Sequence, residues 1–277
     1  MMPGLFSCAE RQPVDHQLKT SSTVRLSQIE TRAPDNVDRK DAEKEFRKLR
    51  DELVELQNCF YADGRRKLLI VFQAMDAGGK DGTICKVFRG VNPQGVRVTS
   101  FKKPSSKELA HDYLWRIHAA VPAGGMIGVF NRSHYEDVLV VRVDEIVPES
   151  VWRPRYEQIN QFEQLLDSTG TRILKFYLHI SPAEQKERFQ ERLDIPEKNW
   201  KFDRGDLKKR EQWSDYMAAY EEMLEQCTTE YAPWHVVPSD QKWYRNLVIT
   251  KTIVETIREM GPGYPDQKDD LSDVVIP

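Results

Sequence analysis

A glycine-rich turn containing one lysine follows the first strongly apolar segment of the chain. Residues 67–74 form that segment, and residues 76–83 then read Asp-Ala-Gly-Gly-Lys-Asp-Gly-Thr. Glycines let backbone N–H groups approach phosphate oxygens, and the N-terminus of a following helix adds partial positive charge. Lys80 would reach the outer phosphates of a bound chain. The pattern predicts a phosphate-binding loop, and the alternative is an ordinary strand-to-helix turn with solvated charges.

This loop departs from the standard Walker A sequence. Ala74 occupies the position of the first Walker A glycine, and Asp81 occupies the position where a serine or threonine usually holds magnesium. Asp76 also lies inside the loop, where a carboxylate among phosphates is costly unless a cation separates them. Because magnesium prefers oxygen ligands, Asp76 is a candidate ligand for that ion.

A second polar segment follows the third apolar strand. Residues 130–137 read Phe-Asn-Arg-Ser-His-Tyr-Glu-Asp, and ligands of α/β sheets bind beyond the carboxyl ends of the strands. This segment should therefore lie beside the phosphate loop, where Arg132 can make a forked contact to phosphate. Asp137 could share a metal ion with Asp76, whereas His134 is expected to serve packing or hydrogen bonding. The alternative is a polar loop that leads into an ordinary strand or helix.

Two groups of basic residues complete the set that could do chemistry. Residues 188–210 are rich in arginine and lysine and are interrupted by proline, glycine and the aromatic residues Trp200 and Phe202. Kinases with a phosphate loop close an arginine-rich lid over the transferring phosphoryl group, and the alternative for this stretch is a solvated basic face. The second group, Lys102 and Lys103, follows the second strand, where several aligned charges could line a groove for a long anion.

The elements that must position these residues alternate along the chain. Apolar runs with β-branched residues predict buried parallel strands. The predicted strands are 67–74, 96–101, 126–130, 173–180 and 234–237. The predicted helices that separate them are about 82–90, 106–120, 149–168, 181–193 and 206–227. Alternation of this kind predicts an α/β fold with a parallel central sheet.

The chain is expected to consist of a central domain and two tails. Residues 1–38 alternate polar residues with proline and lack helical periodicity, which indicates an extended or poorly ordered arm. From Arg39 the apolar residues step by three and four, which places them on one helix face, and Gly64 lies where that helix should end. The domain is expected to span residues 39–260, and the tail of residues 261–277 is expected to be loose.

Composition argues against several functional classes. The 277 residues include 41 basic and 44 acidic side chains, a net charge of −3, whereas a generic nucleic-acid binder is basic overall. No apolar run approaches the roughly 18 residues of a membrane helix, and the N-terminus lacks the apolar stretch of a secretory signal. The four cysteines form no Cys-x-x-Cys pair, so a zinc site is not predicted and reduced cytoplasmic thiols are the expectation.

These features together resemble the polyphosphate kinase 2 family. The segments that carry the resemblance are residues 76–83, 130–137, 192–206, 231–234 and 243–246. The match covers about residues 40–260, and members of the family share the departures from the Walker A sequence described above. The family's loop often has alanine where this chain has Gly78.

The resemblance implies a three-layer P-loop kinase core, with a parallel central sheet flanked by helices and a helical lid at about 188–215. It implies Mg²⁺-dependent phosphoryl transfer, with Mn²⁺ as a substitute, between inorganic polyphosphate and a nucleotide, without a phosphoenzyme. Subfamilies that favour nucleoside diphosphates usually carry Arg-Ser-Trp-Tyr-Asn-Arg in the second polar segment. The Arg-Ser-His-Tyr-Glu-Asp of residues 132–137 instead looks like the third class, whose members use both AMP and ADP.

Site roles follow from the resemblance residue by residue. Asp76 and Asp137 are expected to bind the metal ion, and Lys80 and Arg132 are expected to hold the phosphates in transfer. The other expected phosphate- or nucleotide-binding residues are Ala77, Gly78, Gly79, Asp81, Gly82, Thr83 and Asn131. The expected contacts of the polyphosphate channel or lid are Lys102, Lys103, Arg188, Arg192, Lys198, Lys201 and Arg204.

The sequence therefore predicts a cytoplasmic, reversible polyphosphate:nucleotide phosphotransferase that converts AMP and ADP to ADP and ATP by direct in-line transfer. No adenine-specific motif is visible, so guanine nucleotides are also candidate acceptors. No nucleic acid or membrane partner is expected, and the resemblance implies a homo-oligomer, either a dimer or a tetramer. Two alternatives stay open: an ATP-dependent nucleotide or small-molecule kinase, and a catalytically silent polyphosphate-binding module.

Overall fold

Five strands form one parallel sheet at the centre of the protein. The computed structural model describes residues 16–266 and residue 276. The strands are β1 (Lys67–Gln73), β2 (Val96–Ser100), β3 (Ile127–Asn131), β4 (Thr171–His179) and β5 (Trp234–Pro238). They pair in the order β2-β3-β1-β4-β5, and each of these pairs is parallel. The predicted parallel α/β sheet is confirmed, with β1 at its centre.

Helices cover both faces of this sheet. The described part of the chain forms the helices α1 (Arg39–Asp63), α2 (Lys80–Val87), α3 (Ser106–Leu109), α4 (Trp115–His118), α5 (Val140–Val143), α6 (Glu149–Trp152), α7 (Arg155–Ser168), α8 (Pro182–Asp194), α9 (Gly205–Glu211), α10 (Trp213–Gln226) and α11 (Lys242–Met260). Short 3-10 turns occur at Leu26–Gln28, Pro93–Gly95, His134–Asp137 and Pro196–Lys201.

Alternate residues of each strand face different helices, which produces two cores. Leu69 and Val71 of β1 lie in a core with side chains of α7 and α10. Leu68, Ile70 and Phe72 lie in a second core with side chains of α1, α2 and α11. Successive strand residues point to opposite faces, and a strand that is apolar on both faces must be covered on both. The predicted three-layer arrangement is confirmed.

Three predicted helices are interrupted in the structure. The stretch predicted at 106–120 contains only the short α3 and α4, because the Asp112 side chain accepts from Leu114 N and starts a new turn between them. Pro154 separates α6 from α7, since proline lacks the N–H that would continue the helical bonding. Gln212 separates α9 from α10 within the stretch predicted as one helix.

Helix α11 was not among the predicted helices. Its residues from Tyr244 to Thr250 are all buried, so this part of the helix has no face exposed to solvent. Sequence periodicity detects a helix through the contrast between an apolar and a polar face. That contrast is missing at the start of α11, where the helix packs between the sheet and α1.

The segment before α1 is attached to the domain along β5. Gln17 forms an antiparallel bridge with His235, and both Val24 and Leu26 are 2% exposed. The described portion of the predicted arm is therefore extended and packed on the core. Residues 1–15 lie outside the described residues, and the limits of the domain stay a prediction.

The remaining sequence expectations concern thiols, the C-terminal tail and membranes. In the part of the chain that the structure describes, Cys59, Cys85 and Cys227 are free, whereas Cys8 lies outside it. Most of the predicted tail, residues 267–275 and 277, also lies outside it. Within the described ranges, no helix has the length and apolar character needed to cross a bilayer.

Candidate active site

The phosphate loop connects β1 to α2. Ala77 and Gly79 adopt left-handed backbone conformations, with φ of +61° and +100°. A Cβ atom on Gly78 would lie 2.5 Å from the Ala74 Cβ atom, so a side chain at this position would force the loop to shift. Left-handed backbone at a residue other than glycine costs free energy and occurs preferentially at functional sites. The loop geometry is thus constrained at three successive positions.

Lys80 begins α2 and folds back over the loop. Its Nζ atom donates to the Ala74 carbonyl at 2.8 Å. Burial and the positive charge of Arg132 lower the pKa of Lys80 to about 8, while the negative charge of Asp76 opposes this shift. The ammonium group is therefore charged at neutral pH and lies at the loop, where it can contact a phosphate.

The first turn of α2 connects the loop to β3. Thr83 is buried, and its hydroxyl donates to the Gly79 carbonyl at 2.9 Å. Asp81 is exposed and accepts from Asn131 Nδ2 at 2.5 Å. A Cβ atom on Gly82 would meet only open space. The structure thus brings Asn131, at the end of β3, into contact with the start of α2.

Asp76 is the charged centre of the site. Its carboxylate accepts from Arg132 Nη2 at 2.7 Å and pairs with Lys209 Nζ at 3.2 Å. Burial alone would raise the pKa of Asp76, but the neighbouring cations, led by Arg132, outweigh burial and hold that pKa below its ordinary value. Asp76 is therefore ionised at neutral pH.

Arg132 joins the two polar segments that follow β1 and β3. Its backbone N–H donates to the Phe72 carbonyl at 3.1 Å, and its φ is +62°. Its guanidinium lies between Asp76 and Glu136, whose Oε2 atom is 3.8 Å from Nη1. The charge of Glu136, opposed by burial and assisted by Asp76, raises the pKa of Arg132. This strained backbone position therefore presents a permanently charged fork beside the loop.

A small cavity opens between these charged residues. Asp76, Arg132, Glu136 and Lys209 line it, together with the ring of Tyr216. Two carboxylates and two cations thus face one space at the carboxyl ends of β1 and β3. Arginine forks bind phosphate oxygens, and carboxylates bind the divalent cations that phosphates carry. The cavity offers both kinds of group.

Asp137 belongs to a different ion pair. Its Oδ1 atom accepts from Arg155 Nη1 at 3.0 Å. Burial raises the pKa of Asp137 to about 6, although the charges of Arg155 and Arg116 oppose the shift. Its neighbour Glu136 lines the cavity beside Asp76, and Asp137 does not. The two carboxylates expected to share a metal ion therefore have different partners here, and their joint role stays a prediction.

A wholly buried polar cluster supports the second polar segment from beneath. Glu163 Oε1 accepts from the Tyr135 hydroxyl at 2.7 Å and lies 3.2 Å from His134 Nε2. Lys175 Nζ donates to Glu163 Oε2 at 2.6 Å and to the Cys227 carbonyl at 2.7 Å. His134, Tyr135, Glu163 and Lys175 are each 0% exposed. The cluster therefore connects the segment that carries Arg132 to β4 and α7.

The predicted lid residues are divided between the loop and the surface. Arg188 of α8 is buried beneath the phosphate loop, where its Nη1 atom donates to the carbonyls of Ala77 and Gly78 at 3.0 and 2.9 Å. Arg192, one turn later, pairs with Asp206 at 3.1 Å. Arg188 thus holds the loop backbone, while Arg192 connects α8 to α9.

The other predicted lid cations make contacts within the lid. Lys198 pairs with Glu191, and Lys201 Nζ lies 5.0 Å from the centroid of the Trp200 ring. Arg204 is exposed at the start of α9. Their contacts with a phosphate chain stay a prediction.

The two predicted channel lysines follow β2 at the edge of the sheet that carries the site. Phe101 N donates to the Asn131 carbonyl at 3.0 Å, so Lys102 and Lys103 leave the sheet beside the end of β3. Both side chains are exposed. Their position is compatible with a groove leading to the loop, and a role in polyphosphate binding stays a prediction.

Three cations near the site had no predicted role. Lys209 lies in the basic run of residues 208–210, and charge patterning alone does not show that it reaches Asp76. Arg155 of α7 and Arg245 of α11 come from helices whose local sequence carries no phosphate-binding signal. Only the tertiary structure places them near the loops.

The carboxylates present suit one kind of metal site. Asp76 is ionised and faces the same cavity as Glu136. Within residues 16–266, no group of three or more His, Cys, Asp or Glu side chains could hold a metal ion. Mg²⁺ is usually bound through one or two carboxylates and substrate phosphates, whereas structural metal sites need more protein ligands. The residues therefore fit a Mg²⁺ ion that arrives with a phosphate chain.

Comparison with known proteins identifies the family of the domain. The profile of the family Polyphosphate kinase 2 (PPK2) matches residues 36–264. The chain is 54% identical over 228 residues to the AMP/ADP-polyphosphate phosphotransferase of Meiothermus ruber, covering 82% of this chain and 85% of that protein. It is 48% identical over 228 residues to the ADP-polyphosphate phosphotransferase of Rhodopseudomonas palustris, covering 78% of this chain and 79% of that protein.

A solved structure agrees with the same assignment. The crystal structure of polyphosphate kinase 2 from Arthrobacter aurescens TC1 superposes with a TM-score of 0.89 at 38% sequence identity, over 94% of each chain. The sheet order, the loop after β1 and the matched sequence thus lead to one conclusion. This chain belongs to the polyphosphate kinase 2 family.

Proposed function

We propose that this protein is a polyphosphate:nucleotide phosphotransferase that transfers a phosphoryl group from inorganic polyphosphate to AMP and to ADP. The observation that carries the proposal is Asp76, an ionised carboxylate inside the phosphate loop, paired with Arg132 and Lys209. A site that only bound phosphate would gain nothing from a negative charge at this position. The names of the relatives in Meiothermus and Rhodopseudomonas, which refer to AMP and ADP, support the choice of acceptors.

The acceptor needs no general base, because a nucleotide phosphate is already an anion at neutral pH. One of its oxygens attacks the terminal phosphorus of polyphosphate, and the new P–O bond forms as the bond to the next phosphate breaks. The shortened polyphosphate leaves with the electron pair of the broken bond. Lys80 and Arg132 offset the charge on the phosphoryl oxygens in transfer. The reverse reaction follows the same path, since both bonds are phosphoanhydrides.

Asp76 and Asp137 are the proposed metal-binding residues. A bound Mg²⁺ ion, or Mn²⁺ in its place, would act as a Lewis acid on the phosphate oxygens. Asp76 is ionised and can bind a metal ion in that state, whereas Asp137 would have to exchange its contact with Arg155 for a contact with the metal ion. Glu136 lies on the same cavity as Asp76 and offers another carboxylate oxygen.

The remaining predicted site residues are assigned to binding the two substrates. The residues proposed to bind phosphate or nucleotide are Ala77, Gly78, Gly79, Asp81, Gly82, Thr83 and Asn131. The residues proposed to guide polyphosphate or to close over it are Lys102, Lys103, Arg188, Arg192, Lys198, Lys201 and Arg204. Several of these cations are paired with acidic side chains of the lid. When the lid closes over polyphosphate, these cations would exchange their carboxylate partners for phosphate groups.

Nucleotide output from AMP tests the proposal. The protein is incubated with AMP, long-chain polyphosphate and Mg²⁺, without ATP at the start, and the nucleotides are separated by chromatography. We expect ADP to appear first and ATP afterwards, and we expect Asp76→Asn, prepared in the same way, to form both far more slowly. Conversion of added ADP alone would contradict the assignment of AMP as an acceptor. Consumption of added ATP with no use of polyphosphate would favour an ATP-dependent kinase.

The proposal also covers the nucleotide bases that the protein accepts, its oligomeric state and its location in the cell. Guanine nucleotides are included as acceptors, and the same assay with GMP and GDP measures their use. A cytoplasmic homo-oligomer, either a dimer or a tetramer, is proposed, and light scattering of the purified protein measures the assembly. A monomer at micromolar concentration would contradict that part of the proposal.

A further inference from the structure

Helix α11 places one guanidinium directly beneath the phosphate loop. Arg245 is 3% exposed, and a Cβ atom built on Gly79 would lie 2.2 Å from its Nη1 atom. Gly79 has no side chain and has a φ of +100°, so the guanidinium packs against the loop backbone itself. Arg245 therefore contacts the loop residue that immediately precedes Lys80.

Within residues 16–266, no carboxylate lies close enough to Arg245 to form an ion pair. Its Nε and Nη2 atoms both donate to the Asn246 side-chain oxygen, at 3.3 and 3.1 Å. Its Nη1 atom, the one against Gly79, has no hydrogen-bond partner. Burial and the nearby charge of Arg188 lower the pKa of Arg245 to about 9, although the charge of Glu184 opposes the shift, so the guanidinium is still protonated at neutral pH. A buried cation in this condition destabilises the free protein.

The neighbouring Arg188 shows what an arginine with a full set of partners looks like at this place. It is also buried, at 7% exposure, but its Nε atom pairs with Glu184 at 2.7 Å. Its Nη1 atom donates to the carbonyls of Ala77 and Gly78 in the loop, and its Nη2 atom donates to the Ser239 carbonyl after β5. Arg188 is thus compensated in both charge and hydrogen bonding. Arg245 forms no ion pair, and its Nη1 atom makes no hydrogen bond, although both guanidinium groups lie against Gly79.

We propose that Arg245 is a charge-positioning residue of the phosphate site: its unpaired guanidinium strengthens the binding of a phosphate anion in the loop, and that anion supplies the missing counter-charge. Arg245 acts through the loop backbone and does not touch the transferred phosphoryl group. The inference rests on the proposed function in that the anion is polyphosphate or a nucleotide phosphate. It explains why a cation is buried in α11 without an ion-pair partner.

A stability trade-off distinguishes this role from a structural one. If Arg245 only fills space, its replacement weakens the free protein and leaves the affinity for phosphate unchanged. If Arg245 instead serves to bind an anion, a neutral side chain of similar length removes a buried unpaired charge. The variant without ligand should then be at least as stable as wild type without ligand. The same replacement weakens anion binding. The stability of the free protein is therefore kept or increased by the replacement, while its affinity for the anion decreases.

The experiment measures melting temperature against the concentration of inorganic tripolyphosphate with Mg²⁺, because a ligand stabilises the folded state in proportion to its occupancy. Wild type is compared with Arg245→Met, with Arg245→Lys, and with Arg258→Met. Arg258 lies on the same helix, pairs with Glu52, and its side chain is 51% exposed, so it serves as the matched control.

We expect Arg245→Met to melt at or above the wild-type temperature without ligand and to need at least tenfold more tripolyphosphate for the same upward shift. Arg245→Lys should recover most of the wild-type response, and Arg258→Met should show all of it. An Arg245→Met protein that fails to fold, or that melts lower while keeping the wild-type response, would overturn the inference alone. A wild-type protein without any response to tripolyphosphate would overturn the proposed function as well.

Discussion

Removal of the Glu163 carboxylate should destabilise this protein strongly, although Glu163 lies outside the proposed substrate site. Glu163 and Lys175 are both 0% exposed, and their charged atoms are 2.6 Å apart. Glu163→Gln leaves the Lys175 ammonium group buried without its counter-charge. Breaking a buried pair from one side costs about 3–5 kcal/mol. Since 1 kcal/mol shifts the melting temperature of a chain of this size by roughly 2–4 °C, we expect a decrease of roughly 6–20 °C.

A double-mutant cycle isolates the pair from the rest of the core. Thermal and urea unfolding are measured for wild type, Glu163→Gln, Lys175→Met and the double variant. The double variant removes both charges together, so its loss of unfolding free energy should be smaller than the sum of the two single losses. Glu259→Gln is the control, because Glu259 pairs with Arg172 at 3.3 Å on the surface. An exposed pair of this kind is worth about 1 kcal/mol or less.

Activity provides a second readout of the same variants. Tyr135 and His134 share the Glu163 carboxylate, and they directly follow the segment that presents Arg132 to the loop. Loss of the carboxylate should therefore lower kcat more than it raises KM for AMP, because the substrate-binding loop itself is unchanged. A Glu163→Gln protein that is no less stable than Glu259→Gln would refute the reasoning, as would strictly additive single losses in the cycle.

Three further perturbations test other parts of the site. Asp76→Asn should lower kcat/KM for polyphosphate about 10²–10³-fold, and a near-normal rate in the chromatographic assay would contradict its role as a metal ligand. Deprotonation of Lys80 should make kcat/KM fall above about pH 8, and Lys80→Arg, which stays charged, should lose that decline in a pH–rate series. Gly79→Ala places a Cβ atom 2.2 Å from Arg245 Nη1 at a φ of +100° and should lower the melting temperature, whereas Gly82→Ala, with open space around it, should not.

The sheet and the phosphate loop could be predicted because their signals are local. An apolar run such as residues 68–72 identifies a strand buried on both faces, and glycines followed by lysine identify the turn at its end. Helix α11 could not be predicted in the same way, because residues 244–250 are all buried and their polar residues do not mark a solvent-exposed face. The interruption at Pro154 was available from the sequence, since proline ends helical bonding.

The candidate site could be predicted only where the pairing of neighbouring strands brings its residues together. Arg132 could be expected beside Asp76, because β3 pairs with β1 and their carboxyl ends meet. The partners Lys209 and Arg155 could not, since each is carried by a helix from a distant part of the chain. Long-range ion pairs depend on how helices pack on the sheet, and a single sequence contains no local record of that packing.

The contrast between Asp76 and Arg245 explains how a chain with a net charge of −3 can form a site for a polyanion. Most acidic side chains lie at the surface, where water and salt screen their charge within about 8–10 Å. Charges at the loop are partly or wholly buried, where electrostatic interactions are several times stronger than in water. Asp76 is paired with two cations, while Arg245 beneath Gly79 forms no ion pair and its Nη1 atom makes no hydrogen bond. The guanidinium of Arg245 therefore adds positive charge at the loop, and local charge of this kind, rather than the total charge of the chain, governs the binding of phosphate.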